Sequence, residues 1–148
     1  MFNEPTAILA GDGLLNNAYL VISNELKKEK NINKVCAKIS ALNELSFGVD
    51  RMIAGEYVDT EFEGQKISNE YLEYMHNNKT GALIRASVRI GAILARAEDE
   101  DLNRLTKYAE KIGLAFQIKD DILSEIGDEK ILGKPVGNDR KLGKVTFV

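Results

Sequence analysis

The sequence predicts an all-α protein, a bundle of amphipathic helices, from three features. The two prolines, Pro5 and Pro135, stand near the two ends. Between them apolar residues recur at steps of three and four through nearly the whole chain. Glycine and proline gather together only from Gly127 onward, where a loop is expected.

The first helix is expected from about Glu4 to Glu29, with Ile8, Leu15, Ala18, Ile22 and Leu26 near one face and Pro5 tolerated in the first turn. A second runs from about Asn33 to Tyr57 and points Val35, Ile39, Leu42, Val49 and Met52 or Ile53 inward. Glu61 to Gln65 reads as a loop. Ser68 then caps a short helix, with Ile67 and Leu72 spaced as a hydrophobic staple. That helix should end near Asn77 and Asn78, and Lys79 and Thr80 should open the next one.

The strongest periodicity follows, in Leu83, Ala86, Ile90, Ile93 and Ala97, and again in Leu102, Leu105, Ala109, Ile112 and Phe116. Two long packed helices are expected. The acidic run 98–101 between them suits a helix N-terminus, where carboxylates meet free backbone N–H groups. The tyrosines and Phe116 are most simply core residues. No internal repeat or low-complexity tract is present.

With 148 residues and 44% hydrophobic content, one domain spanning 1–148 can bury a continuous core. Twenty basic residues are spread along the chain against 23 acidic ones, so there is no electrostatic footprint for nucleic acid and no nucleic-acid partner is expected. The single Cys36 can form no internal disulfide, and a reducing, cytoplasmic setting is expected. Asp12, Asn16 and Asn17 interrupt the most apolar N-terminal stretch, so no membrane span is expected. No secretory signal follows Met1.

Periodicity does not explain Gln117, Asp120 and Asp121 late in the last long helix. Adjacent carboxylates that face a core or cleft need a cation, because a buried ionised carboxylate costs several kcal/mol unless it is paired. Mg²⁺ is the natural candidate, since it takes oxygen ligands and is held by one or two carboxylates plus substrate phosphates. The alternative is that both aspartates simply face water. Lys79, Thr80, Lys134 and Lys144 offer the donors a diphosphate needs, although each lysine taken singly reads as a surface charge. His76, the only histidine, has no ligand partner at metal-binding spacing and reads as a surface or locally hydrogen-bonded residue.

Three motifs in order resemble a known family. Gly113-Leu-Ala-Phe-Gln-Ile-Lys-Asp-Asp-Ile-Leu-Ser124, with Leu132-Gly-Lys-Pro-Val-Gly-Asn-Asp139 and Lys144-Val-Thr-Phe-Val148, is similar to the second aspartate-rich region of the trans-prenyl diphosphate synthases and its following loop. Lys79-Thr-Gly-Ala-Leu-Ile84 resembles their diphosphate-contacting motif. Ala7-Ile-Leu-Ala-Gly-Asp-Gly-Leu-Leu15 resembles the helix after their first aspartate-rich region.

The resemblance implies a helical bundle of the isoprenoid synthase type around a central cavity, usually a homodimer. Its reaction is the Mg²⁺-dependent condensation of isopentenyl diphosphate with an allylic prenyl diphosphate. It makes Asp120 a direct Mg²⁺ ligand, Asp121 an indirect one, and Asp59 a further metal-binding aspartate. Lys79, Lys134 and Lys144 would contact diphosphate, and Thr80 and Gln117 would lie near the reacting chain. Two positions depart from the family pattern: Glu56 where Gln is usual, and Ser124 where the last Asp of the motif is expected. The family's first aspartate-rich motif has no counterpart here, so the chain is expected to be a fragment truncated at both ends, inactive or nearly so by itself. A catalytically silent regulatory partner of an active synthase is the alternative.

Overall fold

The computed structural model describes residues 3–65, 67–133 and 136–137. Among these, six helices and no strand occur: α1 (Glu4–Lys28), α2 (Ile32–Glu61), α3 (Asn69–Lys79), α4 (Gly81–Leu94), α5 (Asp99–Ile126) and α6 (Glu129–Leu132). The all-α expectation holds. No helix among the described residues is long and apolar enough to cross a membrane.

Local chemistry sets the helix starts. The Asn3 side chain accepts from Thr6 N–H at 2.9 Å, and Asn31 accepts from Asn33 and Lys34 N–H. Ser68 accepts from Tyr71 N–H at 3.3 Å, the cap its sequence position predicts. Asp99, Glu100 and Asp101 fill the first turn of α5, where their charges complement the helix dipole. The turn between α4 and α5 places Arg96 at φ 58°, a left-handed conformation uncommon for a residue with a Cβ.

The centre of the fold is α2 packed on α3 and α4, with α4 packed in turn on α5. Its core is rich in small residues, Ala41, Ala82, Ala86, Ala92 and Ala109, joined by Leu45, Val49, Leu72 and Met75. Each of the four larger side chains contributes about 1.5–3 kcal/mol by leaving water. Charge ties the same helices together. Glu44 of α2 accepts from Arg89 at 2.7 Å and Arg85 at 3.0 Å, both on α4, and Arg89 also donates to Thr106 of α5 at 2.7 Å. In contrast, among the described residues α1 packs on α2 alone and buries none of its residues.

Several expectations need correction. α2 continues four residues past Tyr57 and carries Asp59 in its last turn. α3 runs through Lys79, so Lys79 closes one helix rather than opening the next, and Thr80 is the joint before α4. Residues 129–132 form a short helix inside the segment read as loop. Ile39, Ile53, Leu105 and Ile112 are exposed, as are Tyr57, Tyr71, Tyr74, Tyr108 and Phe116. Their helices carry wider apolar surfaces than the described neighbours cover.

Candidate functional site

Small residues at two helix crossings bring the sequence-predicted groups together. A Cβ built on Gly55 of α2 would stand 2.7 Å from Lys79 Cα and 2.8 Å from the Asn78 carbonyl carbon. Only glycine lets the end of α3 lie directly on α2 there. A Cβ on Gly113 of α5 would stand 3.0 Å from Gly81 Cα, so the first residue of α4 also sits directly on a helix backbone. The α3–α4 joint is thereby held between α2 and α5.

On the α2 side of this joint, Lys79 Nζ reaches Asp59 Oδ2 at 2.5 Å and Glu56 Oε2 at 3.0 Å. Burial lowers the affinity of the Lys79 amine for its proton. The Asp59 and Glu56 carboxylates outweigh that and hold the group above its ordinary value. The ammonium is therefore charged at neutral pH. Glu56, one of the two departures from the family pattern, is a partner of this lysine.

On the α5 side, Thr80 Oγ1 donates to Gln117 Oε1 at 3.0 Å, and Gln117 Nε2 donates to Asp121 Oδ1 at 3.0 Å. Asp121 is only 3% exposed, and its other oxygen lies 3.8 Å from Nε2 of His76, itself 4% exposed. His76 is thus not a surface residue. Burial pushes its imidazole below the ordinary range, against the pull of Asp121 and Asp59 and with a smaller contribution from Lys79. Asp120 is half-buried one position away on α5, and Ser124 is buried beneath it with its carbonyl accepting from Gly137 N–H at 2.7 Å.

Lys79, Thr80, Gln117, Asp59 and Asp121 are accordingly linked through direct hydrogen bonds or ion pairs at one joint, or lie against it on α2 and α5. Lys134 and Lys144 lie outside the described residues. Sequence reasoning missed His76 because nothing local distinguishes a buried imidazole on a short polar helix. The available signal was its position three residues before Lys79, which places both near one face of α3.

Among the described residues no three of the His, Cys, Asp and Glu side chains stand close enough to hold a metal ion. Asp59 and Asp121 already face Lys79 and Gln117. Such a donor set fits an ion bound by one or two carboxylates and completed by water and a phosphate ligand, the manner of Mg²⁺, better than an all-protein cage. A cavity of about 670 Å³ borders the joint through Asn78 and Gly81, is lined further by residues such as Phe47, Arg51, Arg85 and Lys111, and includes none of the candidate residues.

Comparison with known proteins relates the chain to a family. The polyprenyl synthetase family matches residues 1–148. The farnesyl diphosphate synthase of Escherichia coli is 44% identical over 147 residues, covering 99% of this chain and 49% of that protein. The short chain isoprenyl diphosphate synthase of Methanocaldococcus jannaschii is 44% identical over 149 residues, covering 100% and 43%. The crystal structure of geranylgeranyl pyrophosphate synthetase from Pyrococcus horikoshii superposes with a TM-score of 0.77 at 37% identity, covering 95% of this chain and 41% of that one. The chain therefore spans about half the length, or less, of these relatives. Matched along its whole length, with its lysine-threonine and aspartate motifs meeting at one helix joint, the chain belongs to the polyprenyl synthetase family.

Proposed function

We propose that the chain carries the diphosphate- and metal-holding part of a trans-prenyl diphosphate synthase, which condenses isopentenyl diphosphate with an allylic prenyl diphosphate. The observation behind this reading is the meeting of a charged Lys79 with the Thr80–Gln117–Asp121 hydrogen-bond series at one joint. The Lys79 ammonium binds the diphosphate, with Lys134 and Lys144 as further contacts. Asp120, Asp121 and Asp59 hold Mg²⁺. When bound, the ion neutralises charge that develops on a departing diphosphate.

In this reading Asp59 and Glu56 keep Lys79 protonated and aimed until diphosphate arrives. Thr80 and Gln117 hold the α3–α4 joint against α5, near the prenyl chain. The exposed apolar side chains of α1, among them Ile8, Leu14 and Val21, supply the surface for a homodimer. The lone Cys36 is in keeping with a cytoplasmic setting.

A second reading, a catalytically silent partner of an active synthase, is favoured by Ser124. It stands where the family's last motif aspartate is expected, and it is buried.

Calorimetry with inorganic diphosphate, with Mg²⁺ and with EDTA, tests the site. Binding should need Mg²⁺, and Asp120→Asn should weaken it at least about tenfold, roughly 1.4 kcal/mol. Equal binding in EDTA would remove the metal from the proposal. An assay of prenyl transfer from the two diphosphates separates the readings: product formation excludes the silent partner.

A further inference from the structure

Among the groups packed around the joint, His76 has no part in the functional reading given above, yet it is the chain's only histidine and is nearly inaccessible. It sits on α3 three residues before Lys79 and faces Asp121 of α5 across 3.8 Å. That separation is too long for a direct hydrogen bond, but it is within range of electrostatic attraction or a bridging water. The opposite oxygen of Asp121 accepts from Gln117, and Gln117 accepts from Thr80. The Asp121 carboxylate therefore lies between two polar groups, one from α3 and one from its own helix.

We propose that His76 is a positioning residue that fixes Asp121 between its imidazole and the Gln117 amide. In doing so it sets the geometry of Gln117 and Thr80 and joins the Lys79 end of the site to the aspartate end. The inference rests on the proposed diphosphate and metal site and adds a residue to it. Groups that orient a ligating carboxylate typically change metal affinity by about 10–100-fold when removed. His76 is on a different helix from the carboxylate it orients, so its loss also uncouples α3 from α5. Without it, Asp121 can turn away from Gln117, and Thr80 loses a fixed acceptor.

The test uses the full chain with inorganic diphosphate and Mg²⁺ as the probe. His76→Leu should weaken the Mg²⁺-dependent affinity at least about tenfold. His76→Gln presents an amide N–H toward Asp121 and should restore affinity to within about threefold of the unsubstituted chain. A purely space-filling role predicts the reverse rank or no difference, and either result overturns the proposal.

Because the chain has one histidine, its imidazole ¹⁵N resonances are unambiguous and give a second readout, taken in Asp121→Asn once its helical circular dichroism matches that of the unsubstituted chain. Asp121→Asn should shift them, and so should Mg²⁺ with diphosphate added to the unsubstituted chain. Unmoved resonances in Asp121→Asn overturn the proposal. Should the unsubstituted chain bind no diphosphate, the proposed function fails, and the pairing of His76 with Asp121 is still decided by the Asp121→Asn spectrum.

Discussion

α1 has 25 residues and buries none of them, whereas α3 has 11 and buries Leu72, Met75, His76 and Asn78. The longer helix has the longer run of apolar positions, and both start at a side-chain N-cap. The shorter one is less hydrophobic but lies on a glycine of α2 and is followed by a glycine of α4 that lies on α5. Burial in this molecule follows how closely backbones can approach rather than how apolar a helix is. The candidate site residues Lys79 and Thr80 sit where that approach is closest.

The strongest way to break this comparison is Gly55→Ala. The added methyl would meet the backbone of Asn78 and Lys79, which cannot move without displacing the joint. A loss of at least about 3 kcal/mol is expected in urea denaturation, at the upper end for overpacking. A loss below about 1 kcal/mol would mean that α3 can lift from α2 at little cost.

Ser124→Asp sharpens it next. Ser124 is 3% exposed, so the family's usual aspartate would be buried here and near Asp121, one turn away. The cost should be about 2 kcal/mol at neutral pH, smaller in acid where the new carboxyl is protonated. Unchanged stability at both pH values would show that position 124 opens to water.

A third effect is set by pH. His76 faces Asp121 on α5 and Asp59 on α2, with Lys79 on its own helix, and burial wins over the two carboxylates to lower its proton affinity. Below the ordinary value of 6.5 the unfolded chain binds a proton that the native chain resists. Stability should therefore fall as pH drops from 6.5 through the lowered native value, by at most about 1.4 kcal/mol per pH unit. His76→Gln removes this titration, so denaturation midpoints measured from pH 7.5 to 5 should show the unsubstituted chain losing ground to the variant. Parallel curves would place the imidazole in contact with water.

The smallest effect belongs to α1. Leu14 is 74% exposed, and Leu14→Gln should alter monomer stability by less than about 0.5 kcal/mol. In sedimentation at rising concentration the same change should reduce self-association. A stability loss above about 1 kcal/mol in dilute solution would show that α1 is covered within the monomer.

Much of this was legible in the sequence. The spacing of apolar residues locates five long or medium helices, and Ser68 announces its own cap because capping is a local interaction. Lys79, Thr80, Gln117 and Asp121 were found through motifs, and they converge because the helices carrying them cross there. What could not be read was depth. Phe116, 58% exposed, belongs to the same apolar period as the fully buried Ala109, and only the arrangement of neighbouring helices separates them. His76 was hidden for the same reason: whether a polar residue lies in the interior depends on helices far away in sequence, here α5, whose Asp121 stands 3.8 Å from the imidazole.

The contact of Gly55 with the Lys79 backbone also bears on how this protein can be recombined with its relatives. A crossover placed between α2 and α3 would pair one parent's glycine with another parent's path for the following helix. Unless both parents leave the same gap, the hybrid joint would not seat. Residues 55–81 should therefore be inherited as one block, and a shuffled library should lose its folded members wherever breakpoints fall inside it.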